Sequence, residues 1–227
     1  LQRRVLAHAL RDFRLGGAAL DDDDRARFAQ IQQDLARTSA EFSEHVLDAT
    51  DAFALYVEDA DELDGLPDDT LAAARAAAER DGRTGWKLTL QMPCYLPVQT
   101  YATNRDLRER LYRAYGLRAS ESGPEALDNG PLIARILDLR HEQAALLGHA
   151  NYAELSLATK MATTPDAVLS FLRDLAARAR PHAEEDRDAL ATFAREQLGL
   201  DTLEPWDIAF ASDRLRQARY DYSAQTV

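Results

Sequence analysis

Apolar residues recur at helical spacing along most of this 227-residue chain. After an acidic run, Asp21–Asp24, apolar side chains follow at steps of three, four and seven residues, which places them on one face of an amphipathic helix. Carboxylates stabilise the positive end of a helix dipole, so the acidic run also favours a helix start. The pattern therefore predicts a long helix that buries one stripe. The stripe consists of Phe28, Ile31, Leu35, Phe42, Val46 and Ala49.

Residues that typically cap or begin a helix predict four more helices. Their predicted starts are Pro67, Asn104, Asn129–Pro131 and Thr164. The first of these ends at Gly82, and the last continues past Pro181, where we expect a kink, to Gly199. We expect the early turns of the last helix to bury Val168, Leu169, Leu172, Leu175 and Ala176.

Two short segments have the composition of strands. Phe53–Val57 and Trp86–Leu90 are rich in aromatic and branched residues, and turn formers flank both. Because a predicted helix lies between them, we expect a small parallel pair joined by a right-handed crossover. The next segment, Met92–Pro97, is predicted to be an extended connector, since each proline disfavours helical geometry at the residue before it. In this extended form Tyr95 and Tyr101 are candidates for contact with a bound peptide.

Composition narrows the classes of protein. The chain has 46% apolar and 29% charged residues, and 27 Lys and Arg against 39 Asp and Glu give a net charge of −12. These values are typical of a globular protein. The apolar spacing described above predicts that its fold is mainly α-helical, a multi-helix array with a small two-strand unit. An acidic chain with no basic stripe argues against nucleic acid as a partner, because phosphate binding needs clustered cations. We also expect no membrane span, since no apolar run approaches the roughly 18 residues required.

The first residues of the sequence and its cysteine content indicate how the chain is processed and in which compartment it folds. Leu1–His8 has too short an apolar run for a signal peptide, and with no initiator methionine we expect a processed or excised segment. Cys94 is the single cysteine, so an intramolecular disulfide is impossible. This favours a reducing compartment, or a secreted chain without bridges.

The pair His141–Glu142 begins like the zinc-peptidase pattern H-E-x-x-H. That pattern works because histidines at i and i+4 share a helix face and hold one ion. Here Ala145 occupies i+4, and His149 lies about 12 Å further along the helix axis and about 80° around it. We interpret His141–Glu142 as a solvated or helix-packing pair.

Other polar groups also lack a complete constellation. Asp21–Asp24 has Ala26 and Gln32 where an EF-hand needs Gly and Glu. Gly16–Gly17 lacks the lysine and helix start of a phosphate loop. Cys94, considered with His45 or His149, has no nucleophile elbow around it. The carboxylates Glu184, Glu185, Asp186 and Asp188 are interpreted as a solvated helix face. No catalytic or metal-binding residue is therefore predicted, and no metal site assembles from His8, His45, His141, His149 and His182.

Seven segments, in order and with family-like spacing, resemble the zinc metallopeptidases of the thimet oligopeptidase family. Together they extend over essentially the whole chain. The segments are Ala9–Gly17, Ser43–Thr50, Leu88–Asn104, Leu107–Tyr115, Leu146–Tyr152, Leu157–Ala162 and Glu204–Ala209.

This resemblance implies a helical, two-lobed cytoplasmic peptidase with a channel that admits short peptides. In the family, the H-E-x-x-H helix, a further Glu ligand, and a later His and Tyr lie in the C-terminal half. None has a matching position here, so zinc is implied for the full-length parent and not for this chain. Residues 1–103 then correspond to an N-terminal helical region with the strand unit, and residues 104–227 to the start of the catalytic-region helices.

Two hypotheses follow from the resemblance. The first is that this chain supplies channel wall to a longer metalloendopeptidase, is inactive alone, and self-associates through surfaces that the rest would cover. The alternative is a non-catalytic helical module that binds peptides or acts as a scaffold. The reading frame beyond Val227 discriminates them: an H-E-x-x-H helix favours the first, and a stop codon favours the second.

Overall fold

The computed structural model describes residues 2–220, which form nine α-helices and two short strands. The helices are α1 (Gln2–Leu15), α2 (Asp22–Ala52), α3 (Asp68–Arg80), α4 (Met92–Tyr101), α5 (Arg105–Gly116), α6 (Gly130–Leu146), α7 (Tyr152–Leu157), α8 (Pro165–Leu198) and α9 (Ile208–Tyr220). The strands are β1 (Leu55–Val57) and β2 (Trp86–Leu88), and single 3-10 turns lie at Ala60–Leu63, Glu125–Leu127 and Pro205–Asp207. The predicted mainly α fold with a small two-strand unit is confirmed.

The predicted helix starts are confirmed, and in three cases a side chain caps the helix. Asp21 Oδ1 accepts a hydrogen bond from the Asp24 amide at the start of α2. Asn104 Oδ1 accepts from the Leu107 amide in α5, and Thr164 Oγ1 accepts from the Ala167 amide in α8. Each bond satisfies an amide that has no partner within the helix, which is why these residue types mark helix starts in a sequence.

The strands pair antiparallel, so the expected parallel crossover is wrong. Leu55 lies opposite Leu88, and Val57 lies opposite Trp86. The cause is the turn after α3, where Gly85 has φ +83° and a Cβ there would lie 2.3 Å from the Val57 carbonyl oxygen. The chain is thus delivered beside the end of β1 rather than its beginning, and β2 runs back along it.

A surface cluster holds this turn against the sheet. Tyr56 Oη and Lys87 Nζ, cross-strand neighbours, both donate to Asp81 Oδ2 at 2.6 Å. The hydrogen bonds from Lys87 and Tyr56 hold the pKa of Asp81 below its ordinary value. The end of α3 is therefore tied to both strands.

The segment predicted to be extended is the helix α4, so that prediction is wrong. Pro93 occupies the second helical position, where a missing N–H costs nothing because no acceptor awaits it. Pro97 lies inside the helix, a position that costs about 3 kcal/mol in isolation. Burial of Tyr95 and Val98 on the core side of α4 offsets that cost.

The chain divides into two compact units, each built from two stretches. Unit 1 contains the chain up to His45 together with Asp128–Arg178. In it two ion pairs, Arg27–Glu142 and Arg135–Asp34, join α2 to α6. Ile31, Leu139 and Ala144 are fully buried.

Unit 2 contains Val46–Leu127 together with the chain from Ala179 onward. Its main core joins the two strands to α3, α4 and α5. The fully buried members of that core include Leu88, Val98, Leu107 and Leu111. Each such side chain contributes about 1.5–3 kcal/mol relative to an exposed one.

The stripe of α2 is confirmed in part, because Phe28 and Ile31 are buried and its other four residues are half-buried. The stripe of α8 is exposed where burial was expected. The α8 stripe, defined as Val168, Leu169, Leu172, Leu175 and Ala176, has three leucines that are 44, 50 and 52% exposed. Helical spacing alone identifies an apolar face but does not identify what covers it. Across the described part of the chain, no helix is long and apolar enough to cross a membrane.

Candidate functional site

The His141–Glu142 pair lies on α6, in the helix-packing arrangement predicted for it. Glu142 accepts two hydrogen bonds from the Arg27 guanidinium of α2, each 2.5 Å long. The bond from Arg27 lowers the pKa of Glu142 and raises that of Arg27. Both oxygens of this carboxylate are engaged by Arg27, as expected of a bidentate ion pair between packed helices.

His149 lies beyond the end of α6. Gly148 takes φ +77°, and the His149 amide donates to the Ala144 carbonyl, which closes the helix. The His149 side chain then borders an open groove of about 640 Å³ between α7 and the start of α8. Lys160 and Asp166 also border this groove.

Cys94 is half-buried, and its thiol has a structural contact. Its sulfur accepts a hydrogen bond from the Thr89 amide at 3.3 Å, and burial raises the pKa of the thiol. The thiol is the less reactive form, since nucleophilic attack requires the thiolate. The His45 ring, which was considered as its partner, is hydrogen bonded to Asn129 through Nδ1 at 3.0 Å.

The tyrosines proposed for peptide contact have different positions. Tyr95 is buried and stacks on Tyr115 with ring centroids 4.2 Å apart, so the expectation for Tyr95 is wrong. Tyr101 borders a groove of about 600 Å³ at the start of α3, together with Pro67 and Pro97. Peptide contact therefore stays a proposal for Tyr101 alone.

The acidic groups considered from the sequence serve local structure or face solvent. Asp22 pairs with Arg25 one turn further along α2, at 3.0 Å. On α8, Glu184 pairs with Arg180 and Asp188 with its neighbour Arg187. Within residues 2–220, no three His, Cys, Asp or Glu side chains are close enough together to hold a metal ion.

A buried charge network in unit 2 was not predicted from the sequence. Asp207, which has no exposed surface, accepts from Arg108 Nη2 at 2.8 Å and from Arg105 Nη2 at 2.7 Å. Arg108 is 1% exposed and also donates to the carbonyl oxygens of Ala102 and Trp206. Burial would raise the pKa of Asp207, but the hydrogen bonds from both arginines outweigh it and the pKa is lowered.

Aromatic rings complete this network and join α5 to the start of α9. Arg108 lies over the ring of Phe210 at 4.2 Å, and Arg113 lies over that of Trp206 at 4.9 Å. Two features of the sequence indicate it. Arg108 falls on the apolar face of α5 set by Leu111, and Glu204 with Asp207 has the spacing of a capping box around a proline, which the structure contains.

Comparison of the sequence with known proteins identifies the family of this chain. Residues 98–227 match Peptidase family M3, which is more than half of the chain. The chain is 47% identical to Oligopeptidase A of Salmonella typhimurium over 98% of its length, which is 33% of the length of that protein.

Two Arabidopsis thaliana proteins are also similar. The chain is 42% identical to the "Probable cytosolic oligopeptidase A" over 99% of its length and 33% of that protein. It is 40% identical to the "Organellar oligopeptidase A, chloroplastic/mitochondrial" over 99% of its length and 29% of that protein. The chain thus spans about a third of the length of these relatives. The family resemblance predicted from the seven segments is confirmed. This chain belongs to peptidase family M3.

Proposed function

We propose that this chain is one part of a longer zinc metalloendopeptidase that hydrolyses short peptides. The observation that carries the proposal is 47% identity to Oligopeptidase A over 98% of the chain, combined with coverage of only 33% of that protein. The chain supplies helices of the substrate channel and of lobe packing. Hydrolysis depends on residues in the remaining two thirds.

The described residues, 2–220, do not fit a zinc site. Zinc needs three or four ligands close together, and Glu142, the nearest approach to a ligand motif, is engaged by Arg27. No ligand cluster exists among residues 2–220. We therefore place the zinc ligands of the proposed enzyme outside this chain and derive no catalytic step from it.

The division at residues 103 and 104 is also a proposal. The family match begins at residue 98, close to that division, which supports the assignment of residues 104–227 to the catalytic region. The buried network at Arg108 and Asp207 lies within that part and fixes the start of α9 on α5. We propose that it holds this part of the channel wall in place.

A peptidase assay tests the proposed function. A quenched fluorescent peptide is incubated with the 227-residue chain and with the full-length protein, each with zinc and each with a chelator. We expect turnover by the full-length protein alone, lost to the chelator and restored by zinc. Chelator-sensitive turnover by the 227-residue chain would overturn the assignment, and so would an inactive full-length protein. Saturable peptide binding without turnover would favour the non-catalytic module.

We propose the cytoplasm as the location and short peptides as the partner, with neither nucleic acid nor membrane involved. The names of the two Arabidopsis relatives give the cytosol for one and organelles for the other. A net charge of −12 opposes binding to phosphate backbones and anionic lipid surfaces. Fractionation of cells that express the tagged full-length protein tests the location, and enrichment in the membrane fraction would contradict it.

A further inference from the structure

The middle of α8 is a helical segment without a partner in the described part of the chain. All side chains from Leu169 to Asp188 are exposed, including the three leucines of the α8 stripe. Helices in proteins gain most of their stability by packing an amphipathic face against a neighbour. Exposed apolar stripes of this kind typically mark an interaction surface.

Near its C-terminal end, the apolar face of α8 is covered by another helix. Continuing the helical spacing of the α8 stripe leads to Leu190 and Ala194. These two residues are 9% and 0% exposed and pack with Ala211 and with Leu215 of α9. The C-terminal end of the apolar face of α8 is therefore an interface between helices, and the α8 stripe is its uncovered continuation.

The polar side of α8 carries ion pairs within the helix. Arg178 pairs with Asp174, and Arg180 pairs with Glu184, both at 3.0 Å with one turn between the partners. These four charges are therefore satisfied without an external partner. A second copy of the chain is disfavoured as the occupant, because each copy carries a net charge of −12.

We propose that the α8 stripe is covered by an apolar helix face of the same polypeptide, in the two thirds of the full-length protein that lie outside this chain. The inference rests on the proposed full-length protein, and it specifies an interior contact of that protein. Relatives are about three times as long as the part matched here, so chain of sufficient length exists. Covalent connection gives such a helix a high effective concentration at the stripe.

Thiol accessibility tests this contact. Leu172→Cys is introduced into the 227-residue chain and into the full-length protein, and maleimide modification of the peptide containing residue 172 is followed by mass spectrometry. We expect modification to be at least about tenfold slower in the full-length protein, because a buried thiol reacts only through local opening. Ser170→Cys, about 160° away around α8, is the matched control and should react equally fast in both proteins. Leu175→Cys provides a second position if the first variant does not fold.

Three results would overturn the proposal. They are equal rates at residue 172 in the two proteins, equal protection at residues 170 and 172 in the full-length protein, and protection in the full-length protein that grows with its concentration, which indicates a second copy. The peptidase assay is a separate readout. A full-length protein that protects residue 172 but cuts no peptide would contradict the proposed function and leave this contact standing.

Discussion

Asp207 is the residue whose loss should most weaken unit 2. Asp207→Asn removes the charge that compensates Arg108, which is 1% exposed and cannot recover its hydration without unfolding. Breaking a buried pair from one side costs about 3–5 kcal/mol. We expect a loss of that size in urea unfolding of the 227-residue chain.

Asp174→Asn is the matched control for that measurement. Asp174 makes the same type of pair with Arg178, but its side chain is 61% exposed. Exposed pairs contribute about 0–1 kcal/mol, so this variant should unfold nearly as the unaltered chain does. Equal losses for the two variants would show that burial of the Asp207 network does not matter.

The same network predicts a pH dependence of stability. The pKa of Asp207 is lower in the folded chain than its ordinary value near 3.9. A group with a lowered folded pKa contributes stability that is complete above its unfolded pKa and is lost as pH falls through the folded one. The difference in unfolding free energy between the unaltered chain and Asp207→Asn should therefore be constant from pH 7 to about 5 and shrink below about 4. A difference that grows on acidification would contradict the charge assignment.

At the residue scale, the sequence predicted the helix caps but not the long-range partners of buried charges. Asn104 and Thr164 act through amides three residues away, so local order along the chain was enough to predict them. Arg108 and Asp207 are 99 residues apart, so no local pattern along the chain links them. An arginine on an apolar helix face is a signal of a buried ion pair, but it does not identify the carboxylate.

At the scale of elements, the strand pair shows where local patterns are insufficient. The composition of Phe53–Val57 and Trp86–Leu90 predicted two strands, and the structure contains both in shortened form. Their relative direction depends on the turn at Gly82–Gly85, which is a question of backbone geometry rather than of apolar spacing. For α4, two prolines outweighed an apolar segment in the prediction, whereas burial of Val98 outweighs the prolines in the fold.

Gly85 should be the least replaceable residue of that turn. Gly85→Ala must accept a positive φ, which costs about 1–2 kcal/mol, and also places Cβ 2.3 Å from the Val57 carbonyl oxygen. Gly82→Ala has a similar φ of +69° but nothing within 4 Å of its Cβ. In thermal unfolding we expect Gly85→Ala to lose clearly more stability than Gly82→Ala. Equal losses would mean that the chain leaves α3 without close contact to β1.

For the whole molecule, the family was predictable from the sequence, whereas the catalytic chemistry was not. Segments such as Leu157–Ala162 and Glu204–Ala209 carried the resemblance, and the match to family M3 confirms it. The expectation that no catalytic residue lies in this chain stays a prediction, because the comparisons extend over a third of longer proteins. Helical spacing predicted that the α8 stripe is buried, but spacing identifies an apolar face and not the surface that covers it. We propose that the covering surface lies outside this chain.

The last prediction concerns the isolated chain in solution. With the α8 stripe exposed, the 227-residue chain should bind an apolar dye at any salt concentration. It should self-associate only at high salt, where screening weakens the repulsion between copies of net charge −12. Leu172→Glu should reduce dye fluorescence and association together, since it places a charge within the stripe. Ser170→Glu adds the same charge on the opposite side of α8 and should leave both unchanged at high salt. Light scattering and dye titration at low and high salt measure the two effects. If the chain stays monomeric and the dye stays dark under both conditions, these leucines do not form an interaction surface. That result would also contradict the proposed interior contact on α8.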